Sequence, residues 1–249
     1  MQKLYGLIGY PLGHSFSQKY FNEKFQREGI DDARFELFAI EHISHLPGLI
    51  ASHPNLRGLS VTIPYKEQVL DYLDDLDATA RSIGAVNSIR IARSGSKVLL
   101  KGFNTDSYGF SKSLEQTTRK SSARSLVLGS GGASKAVIYV LKQKGWNPLV
   151  VSRTPDEPGQ IAYQDVTEAL LAESRLIVNT TPLGMYPANE ACPPLPYHAL
   201  TPDHVLFDLV YNPSVTLFMK KGLQQGCSVK NGADMLAYQA ERSWDLWNQ

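Results

Sequence analysis

From residue 125 onward, short apolar runs of strand length alternate with amphipathic helical stretches, and this alternation restricts the fold more than any other feature of the chain. Strands joined through helices lie parallel, because a tight turn cannot connect parallel neighbours. Residues 125–128, 148–152, 176–179, 205–210 and 227–230 read as strands, and 133–144, 166–173 and 214–224 as helices. Residues 182–202 are proline-rich and irregular, which predicts a surface loop over a bound cofactor rather than core. The final stretch, 233–247, sets Leu236, Ala240, Trp244 and Trp247 on one helical face and reads as a capping helix. The pattern is that of an α/β protein with a doubly wound sheet.

The first half alternates less cleanly. A strand over 4–8 precedes a helix that starts near Ser15 and Ser17, with Tyr20, Phe21 and Phe25 at helical spacing. Strands follow at 35–40 and 59–63, and helices at 41–52, 66–73 and 78–83. Residues 85–92 and 97–103 form a hairpin closed through Ser94-Gly95-Ser96. A helix over 106–115 leads into the polar stretch 117–124, read as an inter-domain joint. Two domains are therefore expected, 1–106 with 233–249, and 107–232.

Bulk properties narrow the function. With 43% apolar and 20% charged residues, a net charge of +1 and no long basic run, nothing recommends a nucleic-acid partner. No stretch approaches the roughly 18 apolar residues of a membrane helix, and the N-terminus lacks the apolar core and cleavage site of a secretory signal. Cys192 and Cys227 read as incidental thiols, and no metal site is indicated. These features fit a cytoplasmic enzyme acting on a small molecule, as a monomer or a homodimer.

The strand 125–128 runs into Gly129-Ser130-Gly131-Gly132-Ala133-Ser134 and then a helix. A first glycine permits the tight turn, a second lets backbone approach a pyrophosphate, and a third small residue lets the helix pack on the sheet. Helix N-terminal N–H groups then face the phosphates. The next strand ends in Ser152-Arg153-Thr154, without the acid that would grip an unmodified ribose. Arg153 can pair with a 2′-phosphate, and Ser152 and Thr154 can donate to it, which favours NADP. Asp156 and Glu157 follow closely and oppose that preference.

Hydride reduction of a ketone needs a proton donor for the developing alkoxide. Lys66, in Val61-Thr62-Ile63-Pro64-Tyr65-Lys66, is a candidate donor. Asp106, in Asn104-Thr105-Asp106, could hold the ammonium or contact a substrate hydroxyl. Ser15 and Ser17 follow Gly9-Tyr10-Pro11-Leu12-Gly13-His14; Ser17 is either a simple N-cap or, with Ser15, part of a carboxylate site. Asn87, in Gly84-Ala85-Val86-Asn87, offers a donor and an acceptor suited to a vicinal diol. His14 lacks metal-binding company and reads as structural.

Taken together, these motifs resemble the shikimate dehydrogenase family from end to end. Gly9 through Asn22 is similar to G-x-P-x-x-H-S-x-S-P-x-x-H-N, with Gln18 and Phe21 in place of the usual proline and histidine. Val61 to Lys66 resembles V-T-x-P-x-K, Gly84 to Asn87 G-A-V-N, and Gly102 to Gly109 G-x-N-T-D-x-x-G. Gly129 to Ser134 matches G-x-G-G-A-S, and Ser152-Arg153-Thr154 stands where N-R-T is usual. Asn179-Thr180-Thr181-Pro182-Leu183-Gly184-Met185, Asp208-Leu209-Val210-Tyr211-Asn212-Pro213 and the segment from Asn231 to Ala240 complete the series.

The resemblance implies an N-terminal α/β substrate domain and a Rossmann-type NADP domain with a cleft between them. It implies that Ser15 and Ser17 hold the substrate carboxylate. Thr62, Asn87, Asp106 and Gln239 would bind ring hydroxyls, with Tyr211 lining the same pocket. Lys66, coupled to Asp106, would be the acid–base group. Gly129, Ser130, Gly131, Gly132, Ala133, Ser134, Ser152, Arg153 and Thr154 would hold the NADP phosphates and ribose, and Thr180, Leu209 and Gly232 would flank the nicotinamide. The expected reaction is NADPH-dependent reduction of 3-dehydroshikimate. Three alternatives are a quinate-oxidising relative, a metabolite sensor without turnover, and a folate-linked dehydrogenase of similar plan. The absent acid after Val151 argues against NAD, the coenzyme expected with quinate, but says little about the ring. The intact Lys66 and Asp106 argue against the sensor, and the paired serines against the folate-linked reading.

Overall fold

The computed structural model describes residues 2–13, 15–117 and 124–249. The joint expected over 117–124, apart from its two end residues, and the structural role read for His14 fall outside them. Two compact units result: Met1–Tyr108 with Gln239–Gln249, and Gly109–Tyr238.

In the first unit, β1 (Lys3–Gly9), α1 (Phe16–Glu28), β2 (Ala33–Ala39), α2 (Leu46–Ser52), β3 (Leu56–Val61), α3 (Tyr65–Gln68), β4 (Asp75–Leu76), α4 (Ala78–Ile83), β5 (Ser88–Ser94) and β6 (Lys97–Phe103) follow in order. They build one six-stranded sheet ordered β2-β1-β3-β5-β6-β4. Strands β2, β1 and β3 are parallel, and β5 is antiparallel to both β3 and β6. Because side chains alternate across a strand, Leu4 and Ile8 of β1 enter one core with Leu56, Leu59 and Val69. Tyr5 and Leu7 enter another with Phe21, Phe25, Phe35 and Trp247. Burial on both faces explains why β1 reads as a continuous apolar run.

Helix α5 (Thr105–Glu115) begins in the first unit and ends in the second, which continues through β7 (Arg124–Leu128), α6 (Gly132–Gln143), β8 (Asn147–Ser152), β9 (Gln160–Ala162), α7 (Glu168–Ala172), β10 (Ser174–Asn179), β11 (Val205–Asp208), α8 (Leu217–Gln224) and β12 (Ser228–Lys230). Helix α9 (Ala233–Trp247) begins there and returns the chain to the first unit. The second sheet is ordered β12-β11-β10-β7-β8-β9, and every pair in it is parallel. Counted within the unit, that is 3-2-1-4-5-6, the Rossmann order, with its reversal between β7 and β10.

Several expectations are corrected. The helix read over 41–52 is a single 3₁₀ turn, Ile43–His45, followed by α2, with a proline in its first turn. The helix read over 66–73 is α3 and a 3₁₀ turn, Val69–Tyr72. Helices read from 166 and 214 start later because Thr167 and Thr216 are their N-caps, accepting from Leu170 N and Met219 N. Strands β4 and β9 were too short to show periodicity. Residues 182–202 are irregular but not purely surface: Leu200 is buried, and Cys192, Leu195 and Tyr197 pack on the core of Leu128, Ile177 and Phe218.

Candidate active site

Topology gathers the first unit's polar residues at one end of its sheet. Strand β5 runs against β3, so it begins where β3 ends, and Val61 N donates to Asn87 O over 2.8 Å. Strand β6 runs against β5 and finishes there too, with Asn87 N donating to Phe103 O over 3.1 Å. The segments leaving β1, β3 and β6 and entering β5 carry Ser15, Thr62, Lys66, Asn87 and Asp106. Val86 N donates to Lys66 O over 2.7 Å and pins the short helix α3 that holds the lysine.

At this end Lys66 Nζ donates to Asp106 Oδ2 over 2.7 Å, with the side chains 17% and 10% exposed. Asn87 Nδ2 lies 2.8 Å from Asp106 Oδ1, 3.0 Å from Thr105 Oγ1 and 3.3 Å from Gln239 Oε1. The Thr105 backbone N–H donates to Asn87 Oδ1 over 2.6 Å. A backbone N–H can only donate, so this bond fixes which way the Asn87 amide points. Asn104 starts α5: its Oδ1 accepts from Ser107 N at 3.1 Å, and its Nδ2 donates to Ala85 O at 2.9 Å. Asp106 therefore stands on an anchored first turn.

Two members of this cluster were not anticipated. Thr105 Oγ1 lies 2.9 Å from Ser243 Oγ, and both residues are buried. Ser243 follows Gln239 by one helical turn, so their shared face was the available signal. Ser15, rather than Ser17, is the N-cap of α1, its Oγ accepting from Gln18 N at 3.5 Å. Ser17 sits half-buried in the first turn. Tyr211, expected with these residues, belongs to the second unit, on the loop after β11.

In the second unit the glycine loop lies at the carboxyl end of β7, beside the switch point where doubly wound sheets bind ligands. Gly129 has φ +109°, and a Cβ there would stand 2.8 Å from Thr180 Oγ1. A Cβ on Gly131, the N-cap of α6, would meet nothing within 4 Å, so the helix N-terminus is open to a phosphate. These residues fit a dinucleotide pyrophosphate. Ser152 is buried, and its hydroxyl bonds Thr154 N and O at 3.3 and 3.2 Å, so it shapes the turn that presents the exposed Arg153 and Thr154. Thr180 Oγ1 donates to Leu128 O at 2.7 Å, and Leu209 N donates to Asn179 O at 2.9 Å. Gly232 approaches so closely that a Cβ would fall 2.1 Å from Leu209 O.

Residues 7–89 match the family model described as Shikimate dehydrogenase substrate binding domain. Over 97% of its length the chain is 38% identical to the shikimate dehydrogenase (NADP(+)) of Halothermothrix orenii, covering 89% of that protein. The chain belongs to the shikimate dehydrogenase family. Its fold superposes on the chorismate mutase/shikimate 5-dehydrogenase fusion protein of Clostridium acetobutylicum with a TM-score of 0.87, at 34% identity, covering 100% of this chain and 92% of that one. The shikimate 5-dehydrogenase of Thermus thermophilus, solved in complex with NADP(H) and shikimate, gives 0.84 at 32% identity, covering 99% and 93%. Where this shikimate dehydrogenase family member departs from the usual motif, packing explains one change. Phe21 is fully buried and stacks on Phe35 with ring centroids 4.7 Å apart.

Proposed function

We propose that the protein catalyses the reversible NADPH-dependent reduction of 3-dehydroshikimate to shikimate, a step toward chorismate and the aromatic amino acids. The observation that carries this reading is the Lys66–Asp106 ion pair, bonded at 2.7 Å and flanked by Asn87 and Gln239 at one end of the first unit's sheet. The first unit takes the ring acid. Ser15 and Ser17, at the N-terminus of α1, receive its carboxylate, while Thr62, Asn87, Asp106 and Gln239 receive its hydroxyls. Tyr211 also contacts the substrate. In the second unit the loop from Gly129 to Ser134 holds the pyrophosphate, Arg153 and Thr154 hold the 2′-phosphate, and Thr180, Leu209 and Gly232 adjoin the nicotinamide.

NADPH held by the loop from Gly129 to Ser134 and by Arg153 and Thr154 would supply the hydride for the ketone carbon. As the carbonyl π pair withdraws onto oxygen, the Lys66 ammonium gives that oxygen a proton. The neutral amine then regains a proton from water. Asp106 keeps the lysine oriented between turnovers. In the reverse direction the same amine takes the hydroxyl proton. A cytoplasmic enzyme, monomeric or homodimeric, is the setting this chemistry suits.

Mixing the protein and NADPH with 3-dehydroshikimate should bleach the nicotinamide absorbance, with shikimate as product. Parallel assays with quinate and NAD should be much slower. No turnover on the shikimate pair, or faster turnover on quinate with NAD, would overturn the assignment.

A further inference from the structure

Asp208 is completely buried at the carboxyl end of β11 and is absent from the reaction derived above. Three donors converge on it. Asn179 Nδ2 and Val210 N reach Oδ1 at 2.9 and 3.0 Å, and Thr216 Oγ1 reaches Oδ2 at 2.6 Å. Each comes from a different segment: the end of β10, the loop after β11, and the N-cap of α8. Because the Asn179 amide is held by its nitrogen, its Oδ1 faces the next loop, where Thr181 N and Thr181 Oγ1 donate to it at 3.0 and 2.7 Å.

The two loops are also joined directly, Tyr186 N donating to Asn212 O at 3.1 Å. On the other side Gly232 N donates to Val210 O at 3.3 Å. One carboxyl thus sits at the root of residues 180–186, 209–216 and 231–232, which carry Thr180, Leu209, Tyr211 and Gly232.

Stability alone does not account for an acid at this place. Burial pushes the Asp208 carboxyl up to about 6, against the lowering effect of Thr216, Val210 and Asn179, so its ionisation at neutral pH costs the folded state stability relative to the unfolded chain. An apolar residue would fill the position without that penalty, but it would leave the three donors unmatched and the loops untied.

We propose that Asp208 is a positioning residue that sets the two loops at the carboxyl ends of β10 and β11 for the nicotinamide half of the coenzyme. The proposal rests on the coenzyme assignment made above. It acts through Asn179 on the 180–186 loop and through Val210 and Thr216 on the 209–216 loop, and it touches neither substrate nor coenzyme.

Asp208→Ala, Asp208→Asn and Thr181→Val decide the matter. Asn keeps the oxygen that accepts from Asn179 and Val210, and Thr216 can rotate its hydroxyl to accept from the new amide. Thr181→Val cuts the chain one step further out without entering the buried site, so it remains informative if the alanine variant fails to fold. In Asp208→Ala the KM for NADPH should rise about ten-fold, corresponding to loss of about one to two hydrogen bonds, while the KM for 3-dehydroshikimate stays near wild type. Asp208→Asn should recover most of that loss, and Thr181→Val should move the same constant less.

Hydrogen exchange should quicken in residues 180–186 and 209–216 of Asp208→Ala while α6 and β7 keep their protection. Equal quickening throughout the unit, unaltered exchange in the two loops, or an unaltered NADPH constant would overturn the role. Wild-type protein that never oxidises NADPH with 3-dehydroshikimate would instead overturn the functional reading, and loop exchange would still judge Asp208.

Discussion

Asn87 donates from Nδ2 to Asp106 Oδ1 over 2.8 Å, and the Thr105 N–H at its carbonyl oxygen prevents the amide from turning round. Each carboxylate oxygen of Asp106 consequently has its own donor, Asn87 at Oδ1 and Lys66 at Oδ2. Two fixed donors hold the plane of the carboxylate, and the carboxylate holds the ammonium. An acid–base group is useful only when its proton points at the reacting atom.

In the proposed mechanism Lys66→Ala removes the proton donor and nothing that binds coenzyme. Turnover should fall by two or more orders of magnitude, while NADPH titration by fluorescence gives an unchanged dissociation constant. Turnover close to wild type would remove Lys66 from the mechanism.

Asn87→Ala is expected to act on both kinetic constants. The substrate loses a hydrogen-bonding amide, and Asp106 Oδ1 loses the donor that fixed its rotamer. Loss of a hydrogen bond to a charged group is worth about 1.5–3 kcal/mol, so kcat/KM for 3-dehydroshikimate should drop by at least about ten-fold. A change in KM alone, with kcat preserved, would show that Asn87 does not support the Asp106 carboxylate.

The raised pKa of Asp208 gives stability a defined pH slope. Its folded-state value, about 6, lies above its ordinary 3.8, so the native state binds the proton more tightly than the unfolded chain. The stabilisation this brings is complete below pH 4 and disappears as pH rises through 6, a difference of about 3 kcal/mol. Asp208→Asn carries no charge there, so its urea midpoint relative to wild type should improve as pH is raised from 4 to 7. A constant difference across that range would mean that Asp208 is not desolvated.

Arg153 is exposed at the end of β8, on a turn fixed by the Ser152 hydroxyl. Arg153→Ala should raise the KM for NADPH about ten-fold or more, because a charge-assisted contact to a phosphate is lost, and should leave the KM for NADH nearly unchanged. Equal effects on both coenzymes would place the arginine elsewhere than at the 2′-phosphate.

What the sequence revealed depended on whether a feature was local. Alternating runs were enough to predict the parallel second sheet, because each of β7, β10 and β11 buries both faces. Lys66 and Asp106 were visible because each lies in a compact motif at the end of a strand. Thr105 and Ser243 meet across 138 residues, and the one local sign of it is the helical face that Ser243 shares with Gln239. Asp208 is a lone acid ending an apolar strand, and only the folded convergence of three donors from separate segments gives it meaning. The buried residues of 182–202 were missed for a related reason: proline density masked Leu195 and Leu200, which have no periodic neighbours.

Gln18 offers a test of the carboxylate site that leaves every binding residue in place. The N-cap bond to Ser15 Oγ comes from the Gln18 backbone N–H, at 3.5 Å, and a proline at that position has no N–H to give. If Ser15 receives the substrate carboxylate as proposed, its hydroxyl is shared between capping α1 and that contact. Proline is tolerated within the first helical turn. Its restriction of the unfolded chain, about 0.4–1 kcal/mol, offsets most of the lost cap, about 1 kcal/mol. Gln18→Pro should accordingly melt within a few degrees of wild type, while the KM for 3-dehydroshikimate falls as the hydroxyl is released. A KM that does not move, with the fold intact, would mean that capping and carboxylate binding do not compete at Ser15.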